Sequence, residues 1–154
     1  MSDELRVPKH KVAVEVLLPG GAARKVMFFL AEFAGAHAGH ERLSDLLNGE
    51  AEFVPALDLA TDNMSFLGRR SIAVARVAAE WEPPEDPALA TEHPVELALV
   101  DGSLLHGTVA FVMPPERSRL LDFLNDEQPF VRLAEQDHVA LVNKRHIARV
   151  ARVK

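Results

Sequence analysis

Apolar positions along this chain fall into short runs separated by turn residues, and the runs come twice in the same order. Val12-Ala13-Val14-Glu15-Val16-Leu17-Leu18 is β-branched and apolar and ends at Pro19-Gly20-Gly21, which predicts a strand entering a tight turn. Ala23 to Leu30 predicts the returning strand of a hairpin. Val95-Glu96-Leu97-Ala98-Leu99-Val100, Asp101-Gly102 and Ser103 to Val112 repeat the arrangement, with an Asp-Gly turn that supplies the positive φ a hairpin needs. A short helix follows in each copy. Its apolar stripe is Leu43, Leu46 and Leu47 in the first copy, and Leu120, Leu121 and Leu124 with Phe123 in the second. Asn48, followed by Gly49, and Asn125 are placed to end these helices in left-handed caps. Three strand-like runs close each copy: 53–57, 64–67 and 72–77, then 130–133, 139–142 and 147–153. Gly68 and Asn143 both tolerate the left-handed region and predict matched hairpin turns before the last strands.

The repetition extends to residue identities. Arg42-Leu43-Ser44-Asp45-Leu46-Leu47-Asn48 returns as Arg119-Leu120-Leu121-Asp122-Phe123-Leu124-Asn125, and Phe53-Val54 returns as Phe130-Val131 at the same spacing. Between the copies, Glu80-Trp81-Glu82-Pro83-Pro84-Glu85-Asp86-Pro87 is acidic and proline-rich, unsuited to helix or strand. The expected organisation is a first unit over 11–79, a linker over 80–93 and a second unit over 94–154. Each unit reads β-β-α-β-β-β, and strands this short suit a small bent barrel. The expected fold is mainly β: two tandem small barrels packed as a pseudo-symmetric pair. One antiparallel sheet that pools both copies is the alternative.

Val95 to Gly102 followed by Leu105-His106-Gly107-Thr108-Val109 resembles the first motif of Sm-like proteins, in which apolar residues alternate into an Asp-Gly turn and a second glycine marks the bend of the next strand. Leu141-Val142-Asn143-Lys144-Arg145-His146-Ile147 is similar to their second motif. The first copy departs from this pattern, with Val26 or Met27 where the bending glycine would stand. The resemblance implies an SH3-like small barrel. It also implies RNA contacts from the loop between the second and third strands and from the turn before the last strand. Here the first of those loops is replaced by the Leu-rich helix. The turns keep Arg69 and Arg70, and Lys144, Arg145 and His146, but the second copy lacks the family's Arg-Gly pair. Sm-like proteins also form rings through strand edges, and a tandem pair would satisfy such edges within one chain as a pseudo-dimer.

Composition narrows the function classes. The chain has 154 residues, 48% hydrophobic and 26% charged, an ordinary globular balance with enough length for a good core. A formal net charge of -6 gives no general attraction to phosphate backbones, so nucleic-acid binding needs a local basic patch. With no cysteine, disulfides, thiolate metal sites and cysteine nucleophiles are excluded. Met1-Ser2-Asp3-Glu4 is not a secretory n-region, and no apolar stretch approaches the ~18 residues of a membrane span. A cytoplasmic location without membrane contact is expected.

The best patch is basic: Arg69, Arg70, Lys144, Arg145, His146, Arg149 and Arg152, with no acid after Asp137. Against it, Lys and Arg on a last strand also discourage edge pairing, and Arg149 and Arg152 share a face only across a bulge. His37, His40 and Glu41, with Glu32 nearby, have the spacing of a metal clip but sit among glycines and alanines, as incidental surface histidines do. Asn63-x-Ser65-x-x-Gly68 resembles half of the cyclic-dinucleotide pattern of PilZ domains, without the Arg-x-x-x-Arg those domains carry upstream. The repeated pairs Arg42/Asp45 and Arg119/Asp122 read as local helix ion pairs. The Leu-rich helix with Phe28, Phe29 and Phe33 reads as core or as the contact between the copies, with an exposed apolar patch for a partner as the alternative. No nucleophile and base stand together, so no catalytic residue, metal set or cofactor is expected. The expected function is a non-enzymatic binding or scaffold protein acting through protein contacts or self-association. RNA binding through the basic turns and C-terminal strand is the first alternative. A small-molecule sensor with a pocket between the repeats is the second.

Overall fold

Residues 9–32, 39–84, 90–112 and 119–153 are described by the computed structural model. The first copy supplies β1 (Lys9–Leu17), β2 (Ala23–Ala31), α1 (Leu43–Leu47), β3 (Phe53–Asp58), β4 (Asn63–Gly68) and β5 (Val74–Ala78). The second supplies β6 (Thr91–Leu99), β7 (Leu104–Phe111), α2 (Leu120–Leu124), β8 (Phe130–Ala134), β9 (His138–Asn143) and β10 (Ile147–Arg152). The element order therefore follows the hydrophobic pattern, and the protein is mainly β. The strands of both copies are pooled into one antiparallel ten-stranded sheet, ordered β10-β6-β7-β8-β9-β5-β1-β2-β3-β4. Within each half the order is the same: fifth strand, first, second, third, fourth.

The halves join where β5 pairs with β9, from Val74 opposite Val142 to Ala78 opposite His138. Because side chains alternate faces along a strand, this central pair serves two cores. Ala75, Val77, Val139 and Leu141 belong to a cluster with Val12, Val14, Val16, Phe28, Leu43 and Leu47. Val74, Ala140 and Val142 belong to a second with Val95, Leu97, Val109, Phe111 and Leu120.

Local geometry departs from expectation at several points. Gly68 (φ -66°) and Asn143 (φ -69°) are extended, and each leads into one turn of 3-10 helix, Arg69–Ser71 and Lys144–His146. These turns are not hairpins, because β4 pairs with β3 while β5 pairs with β1 and β9, and β9 pairs with β8 and β5 while β10 pairs with β6. Asn48 and Asn125 end their helices at φ -88° and -97°, outside the left-handed region, and the Asn48 side chain instead accepts the Phe130 N–H at 2.8 Å. The strand β6 begins at Thr91, inside the stretch expected as linker, because Thr91 to His93 extend the pairing with β7. Gly102 adopts φ 92°, as its turn requires. At Gly107 a Cβ would lie 2.5 Å from the Ala134 carbonyl oxygen and 2.8 Å from the Leu133 side chain, so only glycine lets β7 pass β8 this closely. Phe33, His37 and residues 85–89 of the linker lie outside the described residues. No helix among the described residues is long and apolar enough to cross a membrane.

Candidate functional site

The two basic turns meet. Asn143 is buried at the start of the second turn, and its amide donates to the carbonyls of Arg70 and Ile72, both at 3.1 Å. His146 Nε2 donates to the same Arg70 carbonyl at 3.2 Å. Arg69, Arg70 and Arg145 thereby line one open concavity of about 430 Å³ between the halves. Its charge is mixed, since Glu50 and Glu127 line it too. Several cations are also committed to the protein. Arg69 donates to the carbonyls of Ala51 at 2.7 Å and Leu47 at 3.0 Å, tying its turn to the end of α1. Lys144 pairs with Asp126 at 2.7 Å, and Arg70 stands 3.8 Å from Glu52 in an exposed, loose pair. Arg149 and Arg152 do not join the group as a common face. The one register irregularity of β10 falls between Ile147 and Arg149, and pairing runs evenly from Arg149 to Arg152, so the two side chains point to opposite faces.

The remaining sequence candidates are structural in their described parts. His40 packs edge-on against Trp81 at 5.4 Å between ring centres, and Glu41 accepts the Ala31 N–H at 3.0 Å. Asp122 pairs with Arg119 at 3.2 Å, whereas Asp45 accepts the Arg42 backbone N–H at 2.8 Å. Phe28 is core and Phe29 is half-buried.

Two carboxylates hold the frame. Glu82, buried after β5, accepts the Ser44 N–H at 3.1 Å and the Ser44 hydroxyl, while the Arg132 guanidinium of the second half donates to its carbonyl at 2.7 Å. Burial pushes the Glu82 carboxyl above the usual carboxylate range, against the downward pull of the Ser44 bonds. Asp58 is held below that range by the Ala60 N–H, with Arg24 at 2.8 Å and the Thr61 N–H adding to the effect against burial.

The surface that pattern reading missed lies on β3 and β4. Antiparallel pairing sets Phe53 opposite Gly68, Pro55 opposite Phe66 and Leu57 opposite Met64, so these six positions share a face. On it Phe53 is 64% exposed, Met64 50% and Phe66 70%. Their counterparts in the second half, Phe130, Val139 and Leu141, are 2%, 1% and 0% exposed, because they pack into the core of the first half. Among the described residues, the far side of β4 pairs with no strand, as does the far side of β10. A signal was present in the sequence: β4 and β9 occupy the same place in a repeat, and one chain has only one internal joint in which to bury such a strand.

Compared with family models, with curated proteins and with solved structures, the chain matches none.

Proposed function

We propose that this chain is a non-enzymatic binding or scaffold protein that works through protein contacts, self-association included, and that each half is a small barrel of the Sm-like or SH3-like kind. The uncovered apolar face of Phe53, Met64 and Phe66 beside the open β4 edge carries the reading. An open edge offers unpaired N–H and C=O groups, and contiguous apolar surface beside it marks an interaction site. Support for the barrels comes from the identical strand order in the two halves, the two core clusters, each built mainly by one half, and the close approach of β7 to β8 at Gly107. Sedimentation velocity over a concentration series is the test. A mass that rises with concentration is expected. A monomer up to the highest soluble concentration would remove self-association from the reading.

Nucleic-acid binding is the second reading, favoured by the convergence of Arg69, Arg70 and Arg145 on one concavity. Single-stranded RNA should then be retained at low salt, released as salt rises, and bound more weakly by Arg70→Glu and Arg145→Glu. No retention at low salt would exclude it, since electrostatic affinity is greatest there.

A further inference from the structure

We propose that the self-association is a closed, two-fold dimer in which β4 of one chain pairs antiparallel with β4 of a second copy. This rests on the reading of the chain as a self-associating protein and names which edge makes the contact. Among the described residues two edges are open, β4 and β10, and the internal joint shows what a head-to-tail union of them would need.

That joint is not reproducible at the ends. On the β5 side it uses Val74, Ala75 and Val77, each at most 1% exposed, and their counterparts on β10 are Arg149, Val150 and Arg152. A head-to-tail contact would press Arg149 into the apolar place that Val74 fills, leaving a buried charge. The joint also has Arg76 paired with Glu135 at 2.8 Å, and the counterpart of Arg76 is Ala151. Asn143, which stitches the two turns together, is matched at the other end by Gly68, which has no side chain to do so. Arginines on β10 therefore protect that edge, and the joint forms once per chain.

The β4 edge, by contrast, complements itself. Asn63-Met64-Ser65-Phe66-Leu67-Gly68 carries no charge, so two copies meet without repulsion along the strand. Asp62 precedes it and Arg69-Arg70 follow it, with Asp62 and Arg70 both exposed. Antiparallel pairing about Ser65 sets Asp62 of each copy beside the Arg69-Arg70 turn of the other. The same register puts Met64 opposite Phe66 of the second copy, giving two apolar cross-strand pairs on the face that carries Phe53. An isologous contact of this kind closes at two chains, because each copy has spent its β4 edge.

Sedimentation velocity and light scattering on the full chain test this, with the wild type compared with Phe66→Glu, Met64→Lys and Arg149→Glu/Arg152→Glu. A species of twice the 16.9 kDa chain mass is expected and nothing larger. Phe66→Glu should weaken it at least about 100-fold, since the substitution enters a two-fold contact twice, and Met64→Lys should weaken it independently. The β10 double variant should leave it unchanged. Both apolar positions are exposed in the single chain, so circular dichroism should show the fold retained. A wild type that stays monomeric overturns the self-association reading and this proposal with it. A dimer indifferent to Phe66→Glu and Met64→Lys, or a larger assembly that the β10 variant abolishes, overturns the proposal while self-association stands.

Discussion

The strands β4 and β9 occupy the same place in the repeat yet meet opposite environments. Met64-Ser65-Phe66-Leu67 and Val139-Ala140-Leu141-Val142 both carry large apolar side chains, but the first leaves Met64 and Phe66 in the open and the second is buried on both faces. What separates them is position in the sheet. The strand β9 has β8 on one side and β5 on the other, and the first half's core closes over it. The strand β4 is the last in the row. A duplicated unit joined once necessarily leaves one copy of its joining surface uncovered, so an internal repeat can carry an interaction surface that no single residue announces.

The largest expected effect breaks the contrast directly. Leu141→Ala removes a side chain from the first half's core and should cost about 2–5 kcal/mol in urea unfolding. At concentrations too low for association, Phe66→Ala should stay within about 0.5 kcal/mol of wild type. Equal losses at both positions would mean that the β4 face is covered within the single chain.

The turns after these strands sharpen the comparison next. Asn143→Ala strips the donors from the Arg70 and Ile72 carbonyls and should cost about 1–3 kcal/mol. Gly68→Asn, its mirror at the open end, should shift stability by no more than about 0.5 kcal/mol. Gly68 has negative φ, and the nearest atoms to an added Cβ stand at 3.6 and 3.7 Å. A penalty at Gly68 equal to that at Asn143 would show that the open turn is packed as tightly as the closed one. Gly107→Ala, in the second half only, should cost about 1–3 kcal/mol by overpacking against β8, read as a lowered thermal midpoint. Its counterpart Val26 already carries a side chain in the first core.

The smallest effect concerns pH. The Glu82 carboxyl titrates above its unfolded value, so the folded chain holds this proton longer. Its contribution to stability is therefore greatest below the unfolded pKa, declines as pH rises through the window up to the raised folded value, and is flat beyond. Asp58 has the opposite sign: its folded value is lowered, so its stabilisation is present above the unfolded pKa and lost as pH falls through the folded one. Urea midpoints measured against pH should show both slopes, and Glu82→Gln should remove only the upper one. An unchanged upper slope would place that titration elsewhere than at the contact between Glu82, α1 and the Arg132 strand.

Much of the local structure was legible. The periods of apolar residues and the turn residues gave strands β1 to β10 in order, because alternation and turn chemistry are properties of neighbouring residues. The Gly68 and Asn143 turns were misread, since both residue types allow a left-handed turn but the strands they connect lie at different places in the sheet. Asn48 looked like a helix cap and became a contact to Phe130, a partner that only the assembled sheet brings within reach.

Residue order alone determined that this protein is β-rich and that the same order of apolar runs and turns recurs along it. Which copy of a repeated surface is buried was decided by tertiary structure alone. Apolar side chains are present in both strands, more of them in β9, whereas burial depends on which strands lie alongside: β9 has β8 and β5, and β4 among the described residues has only β3.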